Sequence, residues 1–354
     1  MLVAWYARNQ RDLPWRRCHD PYRVWVSEVL LQQTRVDQAI PYFHRFVDRF
    51  PDLFSLARAR QSEVLKVCEG MGYYARARNL HKAARQLVDE RKGRIPDTLE
   101  ELLELPGIGP NTAHALLSIG FDRPYPVVDG NVRRILSRLV GLGGDLSKQG
   151  RSQLLWTIAR ELLPVEGPAT FNQAMMDLGA LICLPRKPQC EKCPVLSFCY
   201  AFQSGDAEAY PEKRPRKSKP HYDVSAGVIM NGARILITRR FPEGLLGGLW
   251  EFPGGKREEG ETLEACLLRE IQEELSVTID VGPSFLTVNR EYSHFRITLH
   301  SFLCRLQRGE PQKIGCSDLR WVTIGQLGDF AFPRADRKII EKLNSTNPFT
   351  LMPN

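Results

Sequence analysis

Between Leu2 and about Tyr200 the apolar residues return every three or four positions, as in Val132, Ile135, Leu136 and Leu139, with Pro and Gly between short segments. That period predicts an all-α half. From Tyr222 the pattern changes to runs rich in β-branched residues, VSAGVIM, RILIT, FRITLHSFL and LRWVT, around one amphipathic helix at about 262–275. This half is expected to be α/β. Between them Tyr210 to Pro220, YPEKRPRKSKP, holds three prolines and five basic residues in eleven positions, too polar to build a core. The pattern therefore predicts a multi-domain chain: a helical domain over 1–205, a basic linker over 206–221, an α/β domain over 222–345 and a loose tail over 346–354.

With 354 residues and 43% hydrophobic content, each half can bury its own core. No apolar run approaches about 18 residues, and MLVAWYARNQRDLPWR lacks the regions of a signal peptide, so a cytoplasmic protein without membrane contact is expected. A net charge of +8 and a pI near 9.0 favour a polyanionic partner. Of nine cysteines, four crowd into the seventeen residues 183–199, which suggests a metal site rather than disulfides.

Those four, Cys183, Cys190, Cys193 and Cys199, are spaced C-x6-C-x2-C-x5-C, and by spacing alone they suit zinc or an iron-sulfur centre. In LPGIGPNTA, Gly107 and Gly109 permit a tight turn before a helix; such a turn either joins two helices or also binds phosphate through its amides. Asp129 in PVVDGNVRRIL reads as an N-cap, and Glu28 in SEVLLQQT as an acid near a helix start. As a pair they gain weight, because breaking a glycosidic bond uses one carboxyl as acid and another as anion, in opposed environments. Towards the C-terminus, Gly255, Glu261, Arg269, Glu270, Glu273 and Glu274 recur at fixed spacing. Glu270 and Glu274 stand one helical turn apart, so they either share a hard ion such as Mg²⁺, with Glu273 beside them, or form a solvated acidic face.

Together these strings resemble the MutY-type adenine DNA glycosylases of the endonuclease III, helix-hairpin-helix superfamily. The cysteine spacing and FNQAMMDLGALIC match that superfamily's [4Fe-4S] loop, and LPGIGPNTA matches its hairpin. The acidic string resembles the Nudix box of MutT-type hydrolases, with Ser276 where a Gly is usual. The resemblance implies an all-α glycosylase domain with a [4Fe-4S] loop, joined to an α/β Nudix-like domain. It assigns Glu28 as the acid that protonates adenine, Asp129 as the carboxylate beside the sugar cation, and Asn131 as its orienting partner. The DNA contacts it implies are Arg16, Gln33, Thr34, Tyr73, Arg76, Gly107, Gly109 and Asn111, with Arg78 as a further phosphate contact. Arg186, Lys187 and Lys192 would lie on the cluster loop against DNA. Tyr292, Ser293 and His294 match the loop that senses 8-oxoguanine, and Asp336 a purine-reading position. Bifunctional relatives carry a lysine where this chain has Asn111, so no strand cleavage is expected. The implied partner is duplex DNA with adenine opposite 8-oxoguanine or guanine, bound by a monomer in a prokaryotic cytosol. Rival readings are an endonuclease III-like glycosylase and lyase, a DNA-tethered nucleotide pyrophosphohydrolase, and a catalytically inert damage reader.

Overall fold

The computed structural model describes every residue except His19, 213–217, Ser293 and 347–354. The expected linker at 206–221 and tail at 346–354 therefore fall partly outside the described residues. By backbone contacts the chain divides into two units, Met1–Arg58 with Asn79–Arg216, and Ala59–Arg78 with Lys217–Asn354. Among the described residues no helix is long and apolar enough to cross a membrane.

The first unit is helical, and three of its helices place the chemistry. The Pro21–Leu31 helix starts where the Asp20 side chain accepts the Tyr22 amide and Pro21 presets the first turn. The Gly130–Val140 helix starts on Asp129 and ends on Gly141 at φ +67°. A side chain at Gly141 would run into the Tyr200 ring, so glycine is required there for both conformation and space. The Pro168–Leu181 helix packs Ala174, Met175 and Leu178 into one core with Leu2, Trp5, Val132, Ile135 and Leu136. Burying these faces, rather than propensity, holds such short helices in place.

Periodicity treated residues 1–205 as one body, yet 59–78 pack with the second unit. Glu69 explains much of this: its carboxylate accepts the Phe332 amide at 2.9 Å and Arg337 Nη1 at 2.8 Å. Lys66 Nζ adds a bond to the Phe330 carbonyl at 2.8 Å. Helical spacing tells which face is buried, not against what.

The second unit is built on a mixed sheet of seven strands. They are β1 (His221–Asn231), β2 (Arg234–Arg239), β3 (Trp250–Glu251), β4 (Gly254–Lys256), β5 (Thr278–Glu291), β6 (Arg296–Arg308) and β7 (Asp318–Val322). The order is β3-β2-β1-β6-β5, with β4 on β1 and β7 on β2; β1 and β6 run parallel, and the other pairs are antiparallel. Alternation sends Val228, Met230, Ile235 and Ile237 to the face covered by Ala335, Ile339 and Leu343 of the Arg334–Ser345 helix. Ile229, Leu236, Phe302 and Cys304 point to the other face, under Leu267, Ile271 and Leu275 of the Leu263–Leu275 helix. The result is the expected α/β architecture, a sheet between two helices.

Candidate active site

Glu28 lies on the Pro21–Leu31 helix and Asp129 caps the Gly130–Val140 helix, and both line one cavity of about 270 Å³. Trp15, Arg16, Asn131 and Gln173 complete its working wall. At a water's share of roughly 30 Å³ this is about nine waters, room for a single nucleobase rather than a pair. Glu28 is half-buried on the cavity wall, and no hydrogen bond to its carboxyl occurs among the described residues. Burial first, and the nearby Asp129 second, push its pKa up to about 7, against the opposing pull of Arg16. Asp129 is treated differently. Its Oδ1 accepts the Val132 amide at 2.7 Å and its Oδ2 the Asn131 Nδ2 at 3.3 Å. Burial raises its pKa as well, but these bonds and the Arg134 charge favour its ionised form. The two carboxyls in one cavity thus differ in their partners: Asp129 accepts two hydrogen bonds and Glu28 none among the described residues.

Asn131 is itself held. Arg134 Nη2 donates to Asn131 Oδ1 at 2.9 Å and to the Gly179 carbonyl at 2.7 Å, and its Nε to the Cys183 carbonyl at 2.8 Å. Gly179 has to be glycine, since a Cβ there would sit 2.6 Å from the Asn131 Cβ. Asn111 Oδ1 accepts the Val128 amide at 3.1 Å, so it braces the turn that ends on Asp129.

The structure moves two expected phosphate contacts off the surface. Arg16 lies on the cavity wall, its guanidinium bonded to both oxygens of Asp177 at 2.8 and 2.9 Å. Asp177 is wholly buried and also takes the Arg11 amide and Nε, at 3.0 and 2.8 Å. The sequence reading missed Asp177; its only signal was an acid on the apolar face of FNQAMMDLGALIC. Arg76 is 8% exposed, donates to the Gly72 carbonyl at 3.4 Å and lies 5.7 Å from the Tyr73 ring centroid. Arg78 Nη1 is bonded to the Gly247 carbonyl at 2.8 Å. Three others keep open positions: Tyr73 is exposed at φ +52°, Gln33 is exposed at φ +56°, and a side chain on Gly109 would meet only open space. Thr34 lines the cavity beside Arg35. Gly107 turns at φ +80°, where a Cβ would strike Asn79.

Cys183, Cys190, Cys193 and Cys199 are all half-buried and unbridged, on a loop of two 3₁₀ turns, Cys190–Lys192 and Leu196–Phe198. Burial, with the fields of the other three, pushes the Cys193 thiol up to about 11, so the four lie within electrostatic reach of one another. Among the described residues, no three His, Cys, Asp or Glu side chains gather tightly enough to hold a single ion. Four unbridged thiols on one loop, within reach of one another's fields, are the donor set of an iron-sulfur cluster and fit one there. Arg138 Nη1, 3.3 Å from Cys183 Sγ, offers a cation to the thiolate charge of such a site.

In the second unit a cavity of about 580 Å³ is lined by Arg240, Glu251, Glu270, Glu274, Tyr292 and Asp336, among others. Burial, with Glu251 and Glu270 adding to it, pushes Glu274 up to about 8, and burial with Glu251 pushes Asp336 up to about 7. Asp336 Oδ1 accepts the Phe252 amide at 3.1 Å. Arg269 bonds Glu261 at 2.8 Å, Glu270 at 3.0 Å and Glu273 at 3.2 Å. Gly255 leaves the space that the Glu270 carboxyl occupies. Arg269 thus engages Glu261, Glu270 and Glu273, while Glu270 and Glu274 face the cavity beside Glu251. Tyr292 stacks on Phe295 at 4.9 Å, His294 is exposed, and Ser293 lies outside the described residues.

Paired carboxyls on a base-sized cavity, a glycine turn between helices and a cysteine loop define a helix-hairpin-helix DNA glycosylase. Residues 26–161 match the HhH-GPD superfamily of base excision DNA repair proteins, 183–199 the iron-sulfur binding domain of endonuclease III, and 225–342 the NUDIX domain. The chain is 35% identical to the human adenine DNA glycosylase, covering 99% of this chain and 74% of that one. It is 34% identical to the adenine DNA glycosylase of Buchnera aphidicola, over 96% of each. A solved thermostable thymine-DNA glycosylase, 30% identical, superposes with a TM-score of 0.53 over 57% of this chain and 94% of its own. The chain belongs to the adenine DNA glycosylase family. It is a base excision repair enzyme that acts on adenine in DNA, and it carries a [4Fe-4S] cluster on its cysteine loop.

Proposed function

We propose that this glycosylase hydrolyses the N-glycosidic bond of adenine mispaired with 8-oxoguanine or guanine, as a monomer, and leaves the strand uncut. The observation that carries the chemistry is the difference between the two cavity carboxyls. Glu28, raised to about 7, is about half protonated at neutral pH, and that form gives its proton to a ring nitrogen of the extruded adenine. The bond electrons then leave with the base. Asp129, fixed by the Val132 amide and Asn131, turns its carboxylate to the oxocarbenium-like sugar until water adds there and gives its proton to that carboxylate. Asn131 is a positioning residue for that carboxylate. Asn111 has no amine to attack the sugar, and its oxygen is already engaged by Val128, so the lyase reading loses its nucleophile.

Outside the cavity, Gly107 and Gly109 present the hairpin turn to phosphate, and Gln33, Thr34 and Tyr73 fill the space the adenine leaves. Arg16 serves the cavity wall rather than a phosphate, and Arg76 supports Tyr73 from beneath. Cys183, Cys190, Cys193 and Cys199 are the ligands of the cluster, which holds the loop bearing Arg186, Lys187 and Lys192. Tyr292, Ser293 and His294 read the base opposite adenine. Support comes from the exposure of His294 and from Tyr292, held by its stack on Phe295 at the cavity edge. The test is adenine release under single turnover from duplexes with 8-oxoguanine or guanine opposite adenine. A rate advantage for 8-oxoguanine that His294→Ala removes is the expected result; equal rates on both duplexes would refute lesion sensing.

A further inference from the structure

β5 is an edge strand of the sheet, and beside it runs the Arg334–Ser345 helix. A groove of about 570 Å³ between them is lined by Asn289, Arg290, Arg334, Lys338, Glu341 and Lys342, among others. Two of its cations are occupied: Lys338 pairs with Glu341 at 2.6 Å, and Lys342 donates to the Phe285 carbonyl. Arg290 and Arg334 are not. Neither makes a hydrogen bond or ion pair among the described residues. Arg290 is half-buried, and its charged form is disfavoured first by that burial and then by Arg334. Arg334 opens its helix, where the backbone field is already positive. Folding has thus brought two like charges together on a concave surface, where the one acid, Glu341, is paired with Lys338, so an anion entering the groove would relieve their repulsion.

We propose that this groove binds the phosphodiester backbone of duplex DNA, with Arg290 and Arg334 converging on one phosphate. Guanidinium groups suit that role, since each offers a planar fork of donors to phosphate oxygens. Arg290 stands two residues before Tyr292, so a strand gripped here enters beside the loop assigned to the opposite base. The contact fixes register and carries no sequence information.

The experiment measures equilibrium affinity of the full-length protein for a duplex in which tetrahydrofuran, an uncleavable abasic analogue, replaces the adenosine. Wild type, Arg290→Gln, Arg334→Gln and the double variant are compared across rising KCl. Arg234→Gln, an equal charge change at an exposed residue outside the groove, is the control. The slope of log affinity against log salt should flatten by about 0.9 for each contact removed. If both arginines share one phosphate, the double variant loses little more slope than either single variant but binds more weakly than both. If they hold separate phosphates, the loss in slope is additive, the groove stands and the convergence does not. Circular dichroism and melting temperature confirm folding, and Arg334→Glu, at an exposed position, should weaken binding further than Arg334→Gln. Unchanged slope and affinity in a folded double variant would overturn the proposal, as would an equal change in the control.

Discussion

Replacing Glu28 by Gln removes a carboxyl whose ionised form the fold disfavours, so the variant should be inactive and, in alkaline solution, more stable. The carboxyl is raised from 4.5 to about 7, so the native protein binds a proton that the unfolded chain has released across that window. Stability from this group therefore falls as pH rises from 4.5 through 7 and is level above. At about 1.4 kcal/mol per tenfold the total is at most about 3 kcal/mol. For a unit of this size that corresponds to a melting shift of roughly 6–12 °C. Gln does not titrate, so the melting temperature of Glu28→Gln relative to wild type should climb between about pH 5 and about pH 8. Over the same range the wild-type single-turnover rate of adenine release should hold to near pH 7 and then fall, because the acid has lost its proton. In the variant the rate should be lower by about 10²- to 10⁴-fold, with duplex affinity kept. A melting difference that does not change with pH, or near-native release by the variant, would refute the assignment of Glu28 as the acid.

Ser276 occupies a left-handed conformation at φ +55° after the Leu263–Leu275 helix, so Ser276→Gly should stabilise the second unit by about 1 kcal/mol in urea unfolding. Cys193→Ala should lower iron from about four per chain and weaken DNA binding, while metal analysis of the wild type finds iron rather than zinc. Exchanging both Ser293 and His294 for Ala should cost far more activity opposite 8-oxoguanine than opposite guanine, with equal losses removing the sensing role. Glu69→Gln should lower the melting temperature of the second unit, since a buried charge-assisted bond from Arg337 and the acceptor for Phe332 are both weakened.

Much of the site was legible because its residues lie in contiguous strings. Glu28 and Asp129 are 101 positions apart, 129 minus 28; Asp129 caps its helix as the local pattern predicts, whereas Glu28 lies in the last turn of Pro21–Leu31 and not near its start, and their meeting in one cavity is what folding adds. The fate of the arginines was not legible. Arg16 and Arg76 look like surface cations until Asp177 and the Gly72 to Tyr73 turn take them inward, and partners 161 residues away leave no local pattern. Strand β5 escaped for a different reason. Gly282 and Pro283 interrupt its alternation, and the register shifts there between Val281 and Ser284, so period two is lost although the strand continues. The Arg334–Ser345 helix escaped because attention to Asp336 as a purine-reading position passes over the apolar spacing of Ala335, Ile339 and Leu343 around it.

The most direct test of the account is single-turnover cleavage of labelled duplexes carrying adenine opposite 8-oxoguanine, guanine or thymine, each analysed with and without alkali. The account predicts release opposite 8-oxoguanine faster than opposite guanine, none opposite thymine, and strands that break only after alkali. Rapid strand scission without alkali, with a stoichiometric borohydride-trapped adduct, would contradict it.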